Sequence, residues 1–204
     1  MPQADPLKRK FRGYLYWAVI ACGALVPVAI AAFSPLLAWR SAVYIAAGFA
    51  GIFGLVVLLV QPFLAAGGLT GLGPRRGRKL HAGLGLGLVA LVVAHVAGLW
   101  ITSPPDVIDA LLFRSPTLFS FWGVTAMWAV FAAATLAALR KRFPFSPKVW
   151  QRSHTCIAVV VVIGTVVHAL LIDGTMGTMS KVLLCAAVVL ATLRAIIRLR
   201  IWTR

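Results

Sequence analysis

Apolar runs and short polar clusters alternate along the chain until six runs have been counted. They cover roughly Tyr14 to Phe33, Ala42 to Leu64, Leu80 to Trp100, Leu118 to Leu139, Ser153 to Ile172 and Val182 to Ile197. A helix needs about 20 apolar residues to cross the hydrocarbon core of a bilayer. The pattern therefore predicts an all-α fold, an integral membrane bundle of six transmembrane helices, with residues 1–204 forming a single membrane domain. Pro27 is placed to kink the first helix. The basic residues before this helix, its apolar run and Ala29-Ile30-Ala31 are also the pattern of a cleavable signal. The run is long enough to span, so a retained helix is expected. Gly48, Gly51 and Gly54 recur every three residues in the second run, as suits a closely approaching neighbour. The polar segment Thr102 to Thr117 is expected to be the longest outer loop.

Composition narrows the class. The chain has 204 residues, is 61% hydrophobic and has a mean hydropathy of +0.96. A soluble domain of that size has no interior large enough for so much apolar surface. The formal net charge is +16, from 20 Lys and Arg against 4 acidic residues. The basic residues sit in clusters between apolar runs, which points to membrane topology and a lipid bilayer and not to nucleic acid. Assigned by side, 17 basic residues fall with the termini and the even loops, and 3 (Arg40, Arg114 and Lys181) fall on the other side. The positive-inside rule then puts both termini in the cytoplasm of a multi-pass inner-membrane protein. Cys22, Cys156 and Cys185 lie in apolar runs, show no CxxC or CxxCH spacing, and are expected to be buried, unpaired thiols.

The chemistry lies in the third and fifth runs. His81 and His95 are fourteen residues apart, as are His154 and His168, and the protein has no other histidine. Fourteen residues of helix rise about 21 Å and turn about 40° short of four full turns. Each pair thus shares one helix face, with one histidine near each membrane surface. In the six-span topology the third and fifth helices run in the same direction. His81 is then level with His154, and His95 with His168. Two histidines on one helix are too far apart to share a metal.

An ionisable group within a span is costly and marks function by default. A single histidine there is as readily a packing residue, but four with repeated spacing favour ligation. A bare divalent ion takes four or more ligands, whereas each layer offers two. Two axial imidazoles suffice when a porphyrin supplies the remaining positions. The layers therefore suit two haems, held by His81/His154 and His95/His168, with both irons six-coordinate and suited to electron transfer. Gly83, Gly85, Gly87 and Gly98 on the third helix, with Ala158 and Gly164 on the fifth, leave room for a macrocycle or for close helix packing. Arg78, Lys79 and Arg152 lie within a turn of the cytoplasmic histidines and are candidates for haem propionates, as Arg114 or Lys181 are at the outer side. Trp100, Trp122 and Trp150 suit an interfacial belt, and Trp128 falls near mid-bilayer.

This histidine pattern, the basic cluster before His81 and the WQRSH segment ending at His154 resemble the ferric reductase-like transmembrane domain. That family includes NADPH oxidases, ferric-chelate reductases and the haem-binding subunit of the bacterial methionine sulfoxide reductase system. The resemblance covers roughly residues 42–172. It implies two b-type haems on the same histidine pairs, His81/His154 and His95/His168, with electrons moving from the cytoplasmic to the outer face. Larger members carry a cytoplasmic flavin- and nicotinamide-binding domain after the sixth helix; this sequence ends at Arg204 with no flavin domain. The expected donor is therefore a separate cytoplasmic flavoprotein reductase or quinol. The acceptor is unidentified: ferric iron, oxygen or a periplasmic partner. The sulfoxide reductase haem subunit, of similar size, is a second reading, although this chain has His81 and no histidine in its second run. A histidine-lined proton or metal transporter is a weaker rival, because all four acidic residues lie in the tail or the outer loops.

Overall fold

The computed structural model describes residues 6–67, 69, 71–143 and 146–199. Arg200 and Arg204 of the C-terminal basic cluster lie outside the described residues, as do the side chains of Lys8, Arg9, Lys10 and Arg12. The described residues form helices and short connections. The helices are α1 (Pro6–Ala32), α2 (Ala42–Ala65), α3 (Pro74–Thr102), α4 (Pro104–Leu111), α5 (Leu118–Leu139), α6 (Pro147–Leu171) and α7 (Thr178–Leu199), with one 3-10 turn over Pro35–Leu37. All but α4 are long and apolar enough to cross a membrane.

Local chemistry sets where the helices begin. The hydroxyl of Ser41 accepts from the Tyr44 amide and starts α2. Ser146 does the same for α6 through the Val149 amide, with Pro147 in the first turn. Pro74 starts α3 after Gly73. Several helices run past the apolar stretches into basic residues. Arg and Lys are good helix formers, and their long stems reach the headgroup region from the last turns of a span.

One expected loop is not a loop. The segment between α3 and α5 contains α4, two turns started by Pro104-Pro105, with Asp106 in the first turn and the Ser103 hydroxyl bonded to the Asp106 carboxylate. An acidic group at that end complements the helix dipole.

The bundle is built from two tight hairpins. α2 packs along α3, α5 packs along α6, and α7 lies against both α2 and α6. Ile52, Leu55, Leu59, Leu88, Val130, Val161, Leu184 and Val188 form the shared core. Gly98 permits the α2–α3 contact: a Cβ there would fall 2.7 Å from the Ala47 Cβ. Gly164 does so for α5–α6, where a Cβ would lie 3.0 Å from both the Ala126 Cβ and the Trp122 carbonyl oxygen. These two glycines therefore serve helix packing and not macrocycle space. No helix interface of that kind joins α3 to α6. α3 is thinly covered, with Gly77 and Leu88 its buried residues.

The cysteines divide. Cys185 is buried in α7, but Cys22 and Cys156 are exposed on their helices. The expectation of three buried thiols is thus corrected, because an apolar helix that faces lipid needs no protein cover. Lys181 is buried at 5% exposure, and its Nζ donates to the Ile172 carbonyl at 2.6 Å. It holds the end of α6, where a cation meets unpaired carbonyls.

Candidate functional site

α3 and α6 run in parallel, so the repeated histidine spacing places the side chains at two common depths. The rings of His81 and His154 are 6.1 Å apart, centre to centre, at an interplanar angle of 70°. Those of His95 and His168 are 6.3 Å apart at 82°. All four histidines are half-buried.

Hairpin partners orient three of the rings. The Nδ1 of His95 lies 2.7 Å from the Ala47 carbonyl on α2. The Nδ1 of His168 lies 2.7 Å from the Phe119 carbonyl on α5. His81 makes a longer contact of 3.3 Å with the Gln61 carbonyl, while the Gln61 amide donates back to the His81 carbonyl at 3.2 Å. A carbonyl oxygen only accepts, so each of these Nδ1 atoms carries the proton and donates. The other ring nitrogen, Nε2, keeps its lone pair for a ligand role.

His154 is held differently. Its Nδ1 is buried and finds no hydrogen-bond partner among the described residues. Trp150 stacks flat on the ring at 5.2 Å and 8°, and the Arg140 guanidinium lies 4.0 Å above the Trp150 ring. Trp150 thus lines the site and is more than an interfacial anchor.

The remaining sequence candidates lie around this frame. Arg78, Lys79 and Arg152 are exposed on the second turns of α3 and α6, beside the His81 and His154 layer. Gly83 and Gly87 face open space, and a Cβ on Gly85 would lie 3.4 Å from the Gln61 amide nitrogen. Trp128 leaves most of its indole exposed and meets Phe131 edge-on.

The donor set can be compared with what each ligand class requires. Among the described residues no three His, Cys, Asp or Glu side chains gather closely enough to hold a bare metal ion. Two imidazoles on one iron, each with a bond of about 2 Å and about 1.1 Å more to the ring centre, would stand about 6.2 Å apart. The two observed separations fit that value, and the donor nitrogens left free are of the right kind. The residues present therefore fit haem, with two histidines to each group.

Reading the sequence missed the groups behind the histidines: Gln61, the Ala47 and Phe119 carbonyls, and Gly51 and Gly123 beside them. Gln61 carried a signal, as a lone amide near the end of an apolar run. Gly51 carried one as part of a glycine repeat, but its neighbour was not evident. The structure gives that repeat three separate uses: Gly48 meets Thr175, Gly51 meets the His95 ring and Gly54 meets Leu88.

Fold and site together define a class, a multi-pass helical membrane protein whose parallel helices present facing histidines at two depths. The chain belongs to the family described as ferric reductase like transmembrane component, which it matches over residues 47–165. The matched stretch takes in His81, His95 and His154 and stops short of His168. Domains of this family generally bind haem, and membership gives the chain a membrane electron-transfer role. No curated protein and no solved structure matches it.

Proposed function

We propose that the chain is a di-haem b-type electron-transfer protein of the ferric reductase type, carrying electrons from a cytoplasmic donor to an acceptor at the outer face. The observation that carries this reading is the ring separation of 6.1 and 6.3 Å in two stacked histidine pairs. In this reading His81 and His154 are the ligands of one haem, and His95 and His168 of the other. Residues 42–172 form the haem-binding core. Haem, when bound, supplies the one-electron chemistry that no side chain of the site offers.

The chain's own residues position that chemistry. Layers about 21 Å apart along the helices span most of a hydrocarbon core of about 30 Å. Each histidine pair therefore lies close to one membrane surface. Arg78, Lys79 and Arg152 at the cytoplasmic edge would hold the haem propionates, and Trp150 covers one face of the His154 ring. The clustered basic residues set the orientation, with both termini cytoplasmic. The donor is a cytoplasmic flavoprotein reductase or quinol.

Liposomes containing the purified protein and trapped ferricyanide test this directly. External flavin reductase with a nicotinamide donor, or external quinol, should bleach the trapped ferricyanide. The rate should collapse in His154→Ala and His168→Ala, and the donor that works identifies the route. Haem-loaded protein that bleaches nothing with either donor would refute transmembrane transfer.

A further inference from the structure

The two histidine layers are held differently, and the difference comes from two glycines. In the outer layer both rings donate to helix carbonyls at 2.7 Å, His95 to Ala47 and His168 to Phe119. Each accepting carbonyl lies one helical turn before a glycine, Gly51 after Ala47 and Gly123 after Phe119. Within a helix the carbonyl of residue i already receives the amide of residue i+4. A second donor must approach from the side, across the surface of residue i+4. Any Cβ there would stand in its path.

The close approaches match this requirement. A Cβ on Gly51 would lie 3.1 Å from the His95 Nδ1 and 3.3 Å from its Cε1. A Cβ on Gly123 would lie 2.6 Å from the His168 Nδ1 and 2.9 Å from its Cε1. The same carbonyl–glycine cradle thus occurs once in each hairpin. The inner layer has no counterpart: His81 makes its 3.3 Å contact with Gln61, and the His154 Nδ1 has no partner among the described residues.

We infer that Gly51 and Gly123 are positioning residues that seat the outer imidazoles on their carbonyls and thereby set the potential of the outer haem alone. The inference rests on the di-haem reading above. A proton shared strongly with a carbonyl makes the opposite ring nitrogen a stronger donor. A stronger donor favours the oxidised metal and holds the potential down. A side chain in either cradle pushes the ring away, lengthens the hydrogen bond and raises the potential of that layer.

The test is a redox titration of purified, haem-loaded protein, with haem content measured in parallel. The parent should titrate as two components. Gly51→Ala, the milder change, should keep its haem and shift one component upward while the other holds. Gly123→Ala should act on that same component, by a larger upward shift or by losing that haem. Gly54→Ala, on the same helix with only an ordinary 3.6 Å contact to Leu88, should leave both components in place. A Gly51→Ala protein with parental potentials, or with both components moved together, overturns the cradle and leaves the di-haem reading standing. A parent without haem overturns both.

Discussion

His154 differs from the other histidines in its support. The other three donate from Nδ1 to a backbone carbonyl, whereas His154 has an indole stacked on its face and a guanidinium beyond that. A stacked ring fixes the plane of an imidazole without fixing its proton, so packing alone holds this side chain. Which histidines face each other was legible in the sequence, because equal spacing on parallel helices leaves one pairing. Their carbonyl partners were not, since every residue carries a carbonyl and only the packed backbone shows which one is near. The pairing has a sharp consequence. His81→Ala and His154→Ala should each remove the same half of the haem, and the double variant should remove no more than either alone. His95→Ala should remove the other half. Haem quantification with low-temperature spectra of the α-bands checks this. Loss of one shared component from His81→Ala and His95→Ala would mean that ligands pair along a helix.

The main elements are the α2–α3 and α5–α6 hairpins, each a histidine-bearing helix laid on a supporting helix. Six spans were legible from apolar length, and the ends of α5 from its flanking residues. The helical turns of α4 were not, because a stretch with two prolines and two aspartates reads as a loop until Pro104 and Pro105 are seen to occupy a first turn. The glycines of α3 looked alike in sequence but divide in structure. Gly98 is a packing contact, whereas a Cβ on Gly83 or Gly87 would meet nothing within 4 Å among the described residues. Membrane helices associate through close approach of small residues, and overpacking a tight contact costs about 1–3 kcal/mol. Gly98→Val and Gly164→Val should therefore lower the thermal midpoint of the detergent-solubilised protein, since each puts branched carbons where a single Cβ is already too close. Gly83→Ala should leave that midpoint near the parent's. Equal behaviour of all three variants would show that the hairpins are not held by these contacts.

For the whole molecule, charge and histidine placement point the same way. Among the described residues, the basic clusters at the starts of α3 and α6 and at the end of α7 share one end of the bundle with the His81–His154 layer. In the proposed orientation that end is cytoplasmic, and the inner layer is the one that would meet a donor. Along the molecule, α3 carries two of the four histidines and yet has little protein cover. α3 and α6 are tied into the bundle through α2, α5 and α7, not through each other. That arrangement suits helices that grip flat groups between them. The central claim is that the two histidine pairs each hold a haem. The most direct measurement is a reduced-minus-oxidised spectrum of the purified protein with haem counted per chain. The expected result is a b-type spectrum and about two haems, each with two axial histidines. A colourless protein, or one that saturates at a single haem, would contradict it.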